Sequence, residues 1–379
     1  MALSKPQLGI QSPIQCQLCE QDPKISWKCL ECDLLMCSAC KNNIHPKIKT
    51  AGEHRIVAIK DIKKISSPSR DIGSTSPSSK DTANVDITLV EEFQTKLDGV
   101  YHLAISLDDT LWIGDGDRKK GIRLFSSHTG LRKVKCEGNK LKVISSFNID
   151  VFALAITPGN DLLIANNEPI LKQIKSGTNK VVETVFNVDP YQAWSIYVTS
   201  KNKVIVGGII QEEDKVKGIV IVMDHKGNHG KVYGEDQTKS ISFTYPWKIT
   251  STNNDNILVI DSFSDGNEGK VVVIGHEDII NTYCGSPAIN TEDTPFTPTN
   301  LTTTPADNVI VVDTDNFALH ILNSSGNLIT YISTKDKGIA ELPFSIGYTM
   351  AGQFRILYIG TFAAAGDKGK LYKLNMVGC

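Results

Sequence analysis

The sequence predicts an all-β chain, a six-bladed β-propeller preceded by a small cross-braced, cysteine-rich domain. Three observations lead there. One strand–turn–strand layout recurs six times along residues 85–379. Six of the nine cysteines fall within the first 40 residues, with two histidines shortly after. Between these zones, residues 66–80 (SSPSRDIGSTSPSSK) hold seven Ser and two Pro and almost nothing apolar. A chain of 379 residues exceeds the usual size of one compact core, which favours a repeat architecture joined to a second unit.

The cysteine-rich segment, residues 12–60, comes first. Its spacing is Cys16-x2-Cys19-x9-Cys29-x2-Cys32-x4-Cys37-x2-Cys40-x4-His45-x8-His54. A disulfide framework would distribute its pairs across a short secreted chain, and the opening Met1-Ala-Leu-Ser-Lys-Pro lacks a basic and then apolar leader. Tight C-x2-C pairs beside histidines point instead to metal ligation. Eight ligands make two tetrahedral sites, the usual coordination of structural zinc. Neighbouring knuckles only four residues apart do not readily share an ion, so a cross-brace is expected. Cys16, Cys19, Cys37 and Cys40 would bind one Zn2+; Cys29, Cys32, His45 and His54 would bind the other. In so short a segment the metal would supply most of the folding free energy. Cys136, Cys284 and Cys379, scattered over the rest, read as reduced thiols.

Residues 61–84 are expected to form a flexible linker, because they cannot bury enough surface to offset their ordering entropy. Ser67-Pro68 and Ser76-Pro77 within it are possible acceptors for proline-directed phosphorylation.

The repeats follow. HLAIS-LDDT-LWIGD, LAIT-PGND-LLIAN, IYVT-SKNK-VIVGG, ITST-NNDN-ILVID, LTTT-PADN-VIVVD and IGYT-MAGQFR-ILYIG share one pattern. Their strand-ending residues Ser106, Thr157, Thr199, Thr252, Thr304 and Thr349 lie 51, 42, 53, 52 and 45 positions apart. Such periods, with four short strands each, belong to propeller blades. Third strands are expected at 122–127, 218–224, 271–275 and 319–326, and fourth strands at 181–186, 231–234 and 327–333. The sixth copy has room for three strands, and VDITLVEEF (85–93) would close the ring as its outer strand, shielding the sheet edges.

The zinc-ligand order resembles a B-box zinc finger with six Cys and two His. The block TLVEEFQTKLDGVYHLAISLDDTLWIGD (88–115), with the repeats after it, resembles the NHL-type propeller of tripartite-motif proteins. That family joins a RING and a coiled coil to these parts. Here only 15 residues precede Cys16, and residues 61–84 hold no sustained heptad. The resemblance therefore implies a tripartite-motif-like chain without RING or coiled coil. Ubiquitin-protein transfer normally rests on the RING, and dimerisation on the coiled coil; neither is expected here, although ubiquitin transfer is the one enzymatic activity the family would suggest.

Function is weighed among three classes. A cytoplasmic scaffold would recognise a protein partner through loops joining second and third strands, which gather on one propeller face and vary in charge. Candidate contacts are Arg118, Lys119, Lys120, Glu212, Glu213, Asp265 and Glu268. RNA is a second class. Net charge is −2, and residues 1–80 hold 12 Lys and Arg against 7 Asp and Glu, leaving 28 against 35 beyond. Only residues 118–142 carry a basic excess able to meet phosphates. Catalysis in the central channel is the third. The inner-strand starts Tyr101-His102, Phe152-Ala153, Ala193-Trp194, Pro246-Trp247, Pro298-Thr299 and Pro343-Phe344 offer one histidine and no carboxylate, too few ligands for a catalytic metal. No apolar run reaches the roughly 18–20 residues of a membrane span. The scaffold reading is therefore the leading expectation. Recurrent Asp115, Asn166, Asp261 and Asp313 read as turn-building acceptors, and Trp112, Trp194 and Trp247 as inter-blade packing.

Overall fold

The structure is a computed structural model. It describes residues 19, 26–29, 35–43, 56–58, 85–115, 130–212, 215–235, 241–263, 268–276, 278–362 and 367–379. Contacts divide the chain into two units, Met1–Lys80 and Asp81–Cys379. The linker expected at 61–84 lies outside the described residues.

In the first unit, β1 (Trp27–Cys29) pairs antiparallel with β2 (Leu35–Met36) and β3 (Ile56–Ala58), and α1 (Ser38–Asn43) follows β2. Met36, Cys37 and Cys40 are buried here, with Cys19, Trp27 and Ile56 packed against them.

The second unit is a six-bladed propeller, each blade a four-stranded antiparallel sheet. Blade 1 holds β5 (His102–Ile105), β6 (Leu111–Gly114), β7 (Leu131–Glu137) and β8 (Lys140–Phe147). Blade 2 holds β9 (Ala153–Ile156), β10 (Leu162–Ala165), β11 (Ile170–Ile174) and β12 (Val181–Asn187). Blade 3 runs through β13 (Gln192–Val198), β14 (Val204–Glu212), β15 (Lys215–Met223) and β16 (His229–Tyr233). Blade 4 comprises β17 (Tyr245–Ser251), β18 (Ile257–Ser262), β19 (Gly269–Ile274) and β20 (Ile279–Tyr283). Blade 5 comprises β21 (Pro298–Thr303), β22 (Val309–Asp313), β23 (Ala318–Leu322) and β24 (Leu328–Ser333). Blade 6 is β25 (Leu342–Ala351), β26 (Phe354–Phe362), β27 (Lys370–Val377) and β4 (Asp86–Gln94). The inner strands β5, β9, β13, β17, β21 and β25 pack in that order into a closed ring around the axis.

One expectation needs correction. The third strand of blade 1 is β7, not residues 122–127; those residues precede it and lie outside the described set. The motif IRLFSS is apolar at three of its first four positions, but in the ladder β6 pairs with Leu131–Val134. Arg132, Lys133 and Lys135 are therefore ladder residues.

Local chemistry explains the repetition. Asp109, Asn160, Asn202, Asp255 and Asp307 have φ between 57 and 66°, each three residues after the Ser or Thr that ends an inner strand. Gly352, with φ of 61°, takes that place in blade 6. Asn, Asp and Gly tolerate the left-handed region that this turn demands. Three of these side chains also tie neighbouring blades, Asp255 Oδ2 accepting from Lys201 Nζ at 2.6 Å. Asn160 Oδ1 accepts from Leu107 N at 2.8 Å, and Asp307 Oδ1 from Asn253 N at 2.7 Å.

The second strands β6, β10, β18 and β22 are buried along their whole length, and β14 and β26 are buried except at their ends, because both faces of the blade meet a neighbour. This is why they read as continuous apolar runs rather than alternating ones. Outer strands such as β12 alternate between exposed and half-buried. Near the axis the blades touch backbone to backbone. A Cβ on Gly207 would lie 2.2 Å from Ser195 Oγ and 2.7 Å from Pro246 O, so only glycine lets Ser195 Oγ donate to Pro246 O across the interface at 2.5 Å.

β4 carries a bulge. Lys373 pairs with Glu91 but Leu374 pairs with Leu89, leaving Val90 without an opposite residue. The extra residue switches the face of everything beyond it. Ile87 therefore enters the core shared with blade 5, while Phe93 enters the one shared with blade 1.

Candidate functional site

The described part of the cysteine-rich unit brings three predicted ligands together. Cys37 directly precedes α1 and Cys40 sits one turn on, so the C-x2-C spacing turns both thiols to one side. Cys40 N donates to Cys37 Sγ at 3.4 Å. The sulfurs of Cys19, Cys37 and Cys40 all lie within 4.8 Å of one another. Cys37 and Cys40 are 1% and 2% exposed. In a tetrahedral zinc–thiolate site, Zn–S bonds of about 2.3 Å set neighbouring sulfurs roughly 3.8 Å apart, so this cluster could hold one metal ion with small adjustment. Trp27 roofs the helix: its Nε1 donates to Ser38 Oγ at 3.1 Å, and Lys41 Nζ lies 3.3 Å from its ring centre. Cys16, Cys32, His45 and His54 lie outside the described residues. Cys29 ends β1, and its side chain is not among those described.

Of the predicted partner contacts, Arg118, Lys119, Lys120, Glu213 and Asp265 also lie outside the described residues. Glu212 and Glu268 are exposed and belong to the second-to-third-strand connections of blades 3 and 4, hence to one face. Among the described residues of that face, a ribbon projects. β14 and β15 continue as a two-stranded ribbon through Ile210–Lys217, Gln211–Val216 and Glu212–Lys215, beyond the last residue of β13 that pairs with them. Of the basic blade-1 stretch, Lys133 is paired with Asp108 at 3.0 Å and Lys142 with Glu137 at 3.3 Å.

The same face surrounds the axis with aromatic rings. Tyr101 and Phe344 lie 4.9 Å apart, Phe152 and Trp194 5.1 Å, Trp194 and Trp247 5.7 Å. Trp194 Nε1 donates to Asn167 Oδ1 at 2.9 Å and Trp247 Nε1 to Thr299 O at 3.0 Å, each bridging to a neighbouring blade. Below the rings Lys248 reaches from blade 4 across the axis. Its Nζ donates to Phe152 O at 3.2 Å and lies 3.4 Å from His102 Nδ1 of the opposite blade. Lys248 is absent from the strand-start residues considered above, where blade 4 contributes Pro246 and Trp247. A bulge between Pro246 and Lys248 displaces the register by one residue, so Lys248 is the counterpart of His102. The sequence carries two signals: Lys248 lies four residues before Thr252 as His102 lies four before Ser106, and the aromatic–cation step Trp247-Lys248 matches Tyr101-His102.

The repeated carboxylates act on backbone. Asp261 Oδ1 accepts from Thr244 N at 2.8 Å and Tyr245 N at 3.0 Å, tethering the entry to β17. Asp115 accepts from Asp98 N at 3.3 Å, before β5. Burial pushes both carboxyls above the usual range. Asp313 differs. Burial pushes it up, but hydrogen bonds from His320, Asn316, Asn290 and Thr297 outweigh this and hold it below the usual range. His320 Nε2 faces Asp313 Oδ2 at 3.1 Å while its Nδ1 faces Tyr283 Oη at 2.7 Å. Asp313 and His320 are completely buried, so this Asp–His–Tyr chain braces blades 4 and 5 and offers no surface to a substrate.

Structural comparison finds solved chains of similar fold at low sequence identity. A luciferin-regenerating enzyme is similar at 12% identity and TM-score 0.51, over 77% of this chain and 95% of that one. A protein of unknown function from Dyadobacter fermentans matches at 10% identity and TM-score 0.51, over 77% and 99%. Virginiamycin B lyase from Staphylococcus aureus matches at 14% identity and TM-score 0.45, over 78% and 100%. At these identities the likeness concerns the fold alone. No protein-family profile matches the sequence, and no curated protein matches it either. Among the described residues, no helix is long and apolar enough to cross a membrane.

Proposed function

We propose that this chain is a cytoplasmic adaptor, in which a zinc-bound, B-box-like module is joined to a propeller that recognises a protein partner. The observation that carries the reading is the β14–β15 ribbon. It extends three residue pairs past its sheet and ends in exposed, charged Glu212 and Lys215. A ribbon carried on a closed ring presents backbone and side chains to a partner at little ordering cost. Arg118, Lys119, Lys120, Glu213, Asp265 and Glu268 would surround it as the polar rim.

The metal module supports the same reading. Cys16 would complete the Cys19, Cys37 and Cys40 set, and Cys29, Cys32, His45 and His54 would form the second site. Zinc bound there would act structurally, replacing the hydrophobic core that so short a segment lacks. The likeness to tripartite-motif proteins rests on that ligand spacing. The charge pairing of Lys133 and Lys142 weakens an RNA-binding reading, and no role as a ubiquitin ligase is assigned.

The test is a comparative capture experiment with the full chain, before and after nuclease treatment. A partner retained by the native chain through nuclease treatment, and lost by a Glu212→Arg, Lys215→Glu variant with unchanged circular dichroism, is the expected result. Retention of the same proteins by both chains, or loss of the bound material with nuclease, would refute the adaptor reading.

A further inference from the structure

The inner strands enclose a shaft of about 200 Å³ whose wall draws on all six blades. At one end, beneath the aromatic rings, stand three polar side chains: His102, Lys248 and Asn300, exposed by 5%, 9% and 7%. They come from blades 1, 4 and 5. Toward the other end the wall is chiefly apolar. Leu103, Ile105, Leu154, Ile156 and Val198 line it and are each partly exposed, so the shaft admits solvent from the side of the Ser106 and Thr157 turns. That is the face opposite the β14–β15 ribbon.

The polar end is built to receive an anion. Lys248 crosses the axis and is held there by Phe152 O and His102. Asn300 Oδ1 accepts from Leu301 N at 2.9 Å, which directs the amide group. Its Nδ2 donates to no described residue, and Asn300 lines the shaft. Among the described residues lining the shaft none is acidic. A lysine side chain and an amide donor at the aromatic end of an apolar tube match one ligand chemistry: a carboxylate on a hydrocarbon body, which would supply the counter-charge that the lining lacks. The inner strand His102–Ile105 spans four residues, so at roughly 3.3 Å per residue the tube is about 10 Å deep. That depth and volume suit a small organic acid and exclude a folded segment of a partner.

We infer that the axial shaft is a binding site for a small monocarboxylic acid with an aliphatic or aryl body. The carboxylate meets Lys248 and Asn300; the body lies along Leu103, Leu154 and Ile156. His102 positions the Lys248 ammonium and does not itself need to touch the ligand. This site is independent of partner binding on the opposite face, so either reading can fail alone.

The test uses the full chain and measures melting temperature and calorimetric titration with phenylacetate, hexanoate, phenylacetamide and inorganic phosphate. Both acids should bind and raise the melting temperature, whereas the amide and phosphate should not. A hydrogen bond to a charged group contributes about 1.5–3 kcal/mol, so Lys248→Gln should weaken phenylacetate about ten- to a hundredfold. Should that variant fail to fold, Thr302→Trp, at a partly exposed lining position of blade 5 outside the apolar core clusters, should abolish binding with the circular dichroism and cooperative melting retained. Equal effects of acid and amide, equal effects of phosphate, absence of acid binding, or undiminished affinity in a folded variant would each overturn the assignment.

Discussion

Replacing Phe93 by Ala tests how the ring is held shut. Phe93 is fully buried on β4 and packs among Leu97, Val100, Leu111, Val134 and Leu371, drawn from blades 1 and 6 and the segment between them. Truncating a buried Phe costs about 3–5 kcal/mol through lost transfer energy and the cavity left behind. Domain stabilities run about 5–15 kcal/mol, so the loss is about a fifth or more of a typical total. At the 2–4 °C per kcal/mol of large domains, the melting temperature should fall by about 6–20 °C. Leu89, on the same strand but 36% exposed, is the control, and its Ala variant should cost well under half as much. Guanidinium unfolding followed by the fluorescence of Trp112, Trp194 and Trp247 reads the effect, since all three lie in the propeller. If Phe93→Ala and Leu89→Ala unfold alike, β4 does not seal the blade-1 interface and the closure argument is wrong.

Three further outcomes follow from other parts of the molecule. Gly207→Ala should destabilise by several kcal/mol, about 2–4 on the scale of a severe overpacking, because its Cβ would displace Ser195 from the blade-4 carbonyl; an equal melting temperature would refute the close approach. Asp313 titrates below its ordinary value, so the stability it contributes is complete above about pH 4 and is lost as pH falls through the folded-state value; in Asp313→Asn the part of the acid-unfolding slope below pH 4 should flatten, and an unchanged slope would remove Asp313 as its source. Loading the chain with Co2+ should give thiolate-to-metal charge-transfer absorption that Cys40→Ser diminishes and EDTA removes; absence of that absorption in reduced protein would refute metal binding by the Cys19, Cys37 and Cys40 cluster.

The candidate site was legible in parts that have local causes. Cys37 and Cys40 converge because three residues of chain make one turn, and that spacing is visible in a string of letters. Cys19 joins them only through the fold of the segment. Lys248 was legible only by counting back from the turn, where it lies four residues before Thr252 as His102 lies four before Ser106; counted from the strand start, the bulge after Pro246 puts Trp247 in its place. Asn300 depends likewise on a bulge between Pro298 and Asn300. Blade 1 shows the opposite error, since IRLFSS is apolar at three of its first four positions while the ladder partners of β6 begin at Leu131.

What the sequence alone determined is the repeated unit: six inner strands ending in Ser or Thr, an Asn, Asp or Gly three residues later, and an apolar strand after it. Each of these is local, because left-handed φ selects the turn residue and burial on both faces makes the second strand continuously apolar. Tertiary structure decided what the repeats share. The pairing of β4 with β27, the bulge at Val90 that sends Ile87 and Phe93 to different neighbours, and the reach of Lys248 to the opposite blade all join residues distant in sequence. Such contacts leave little periodic trace, since a single inserted residue sets the register and the closure of the ring selects the partner.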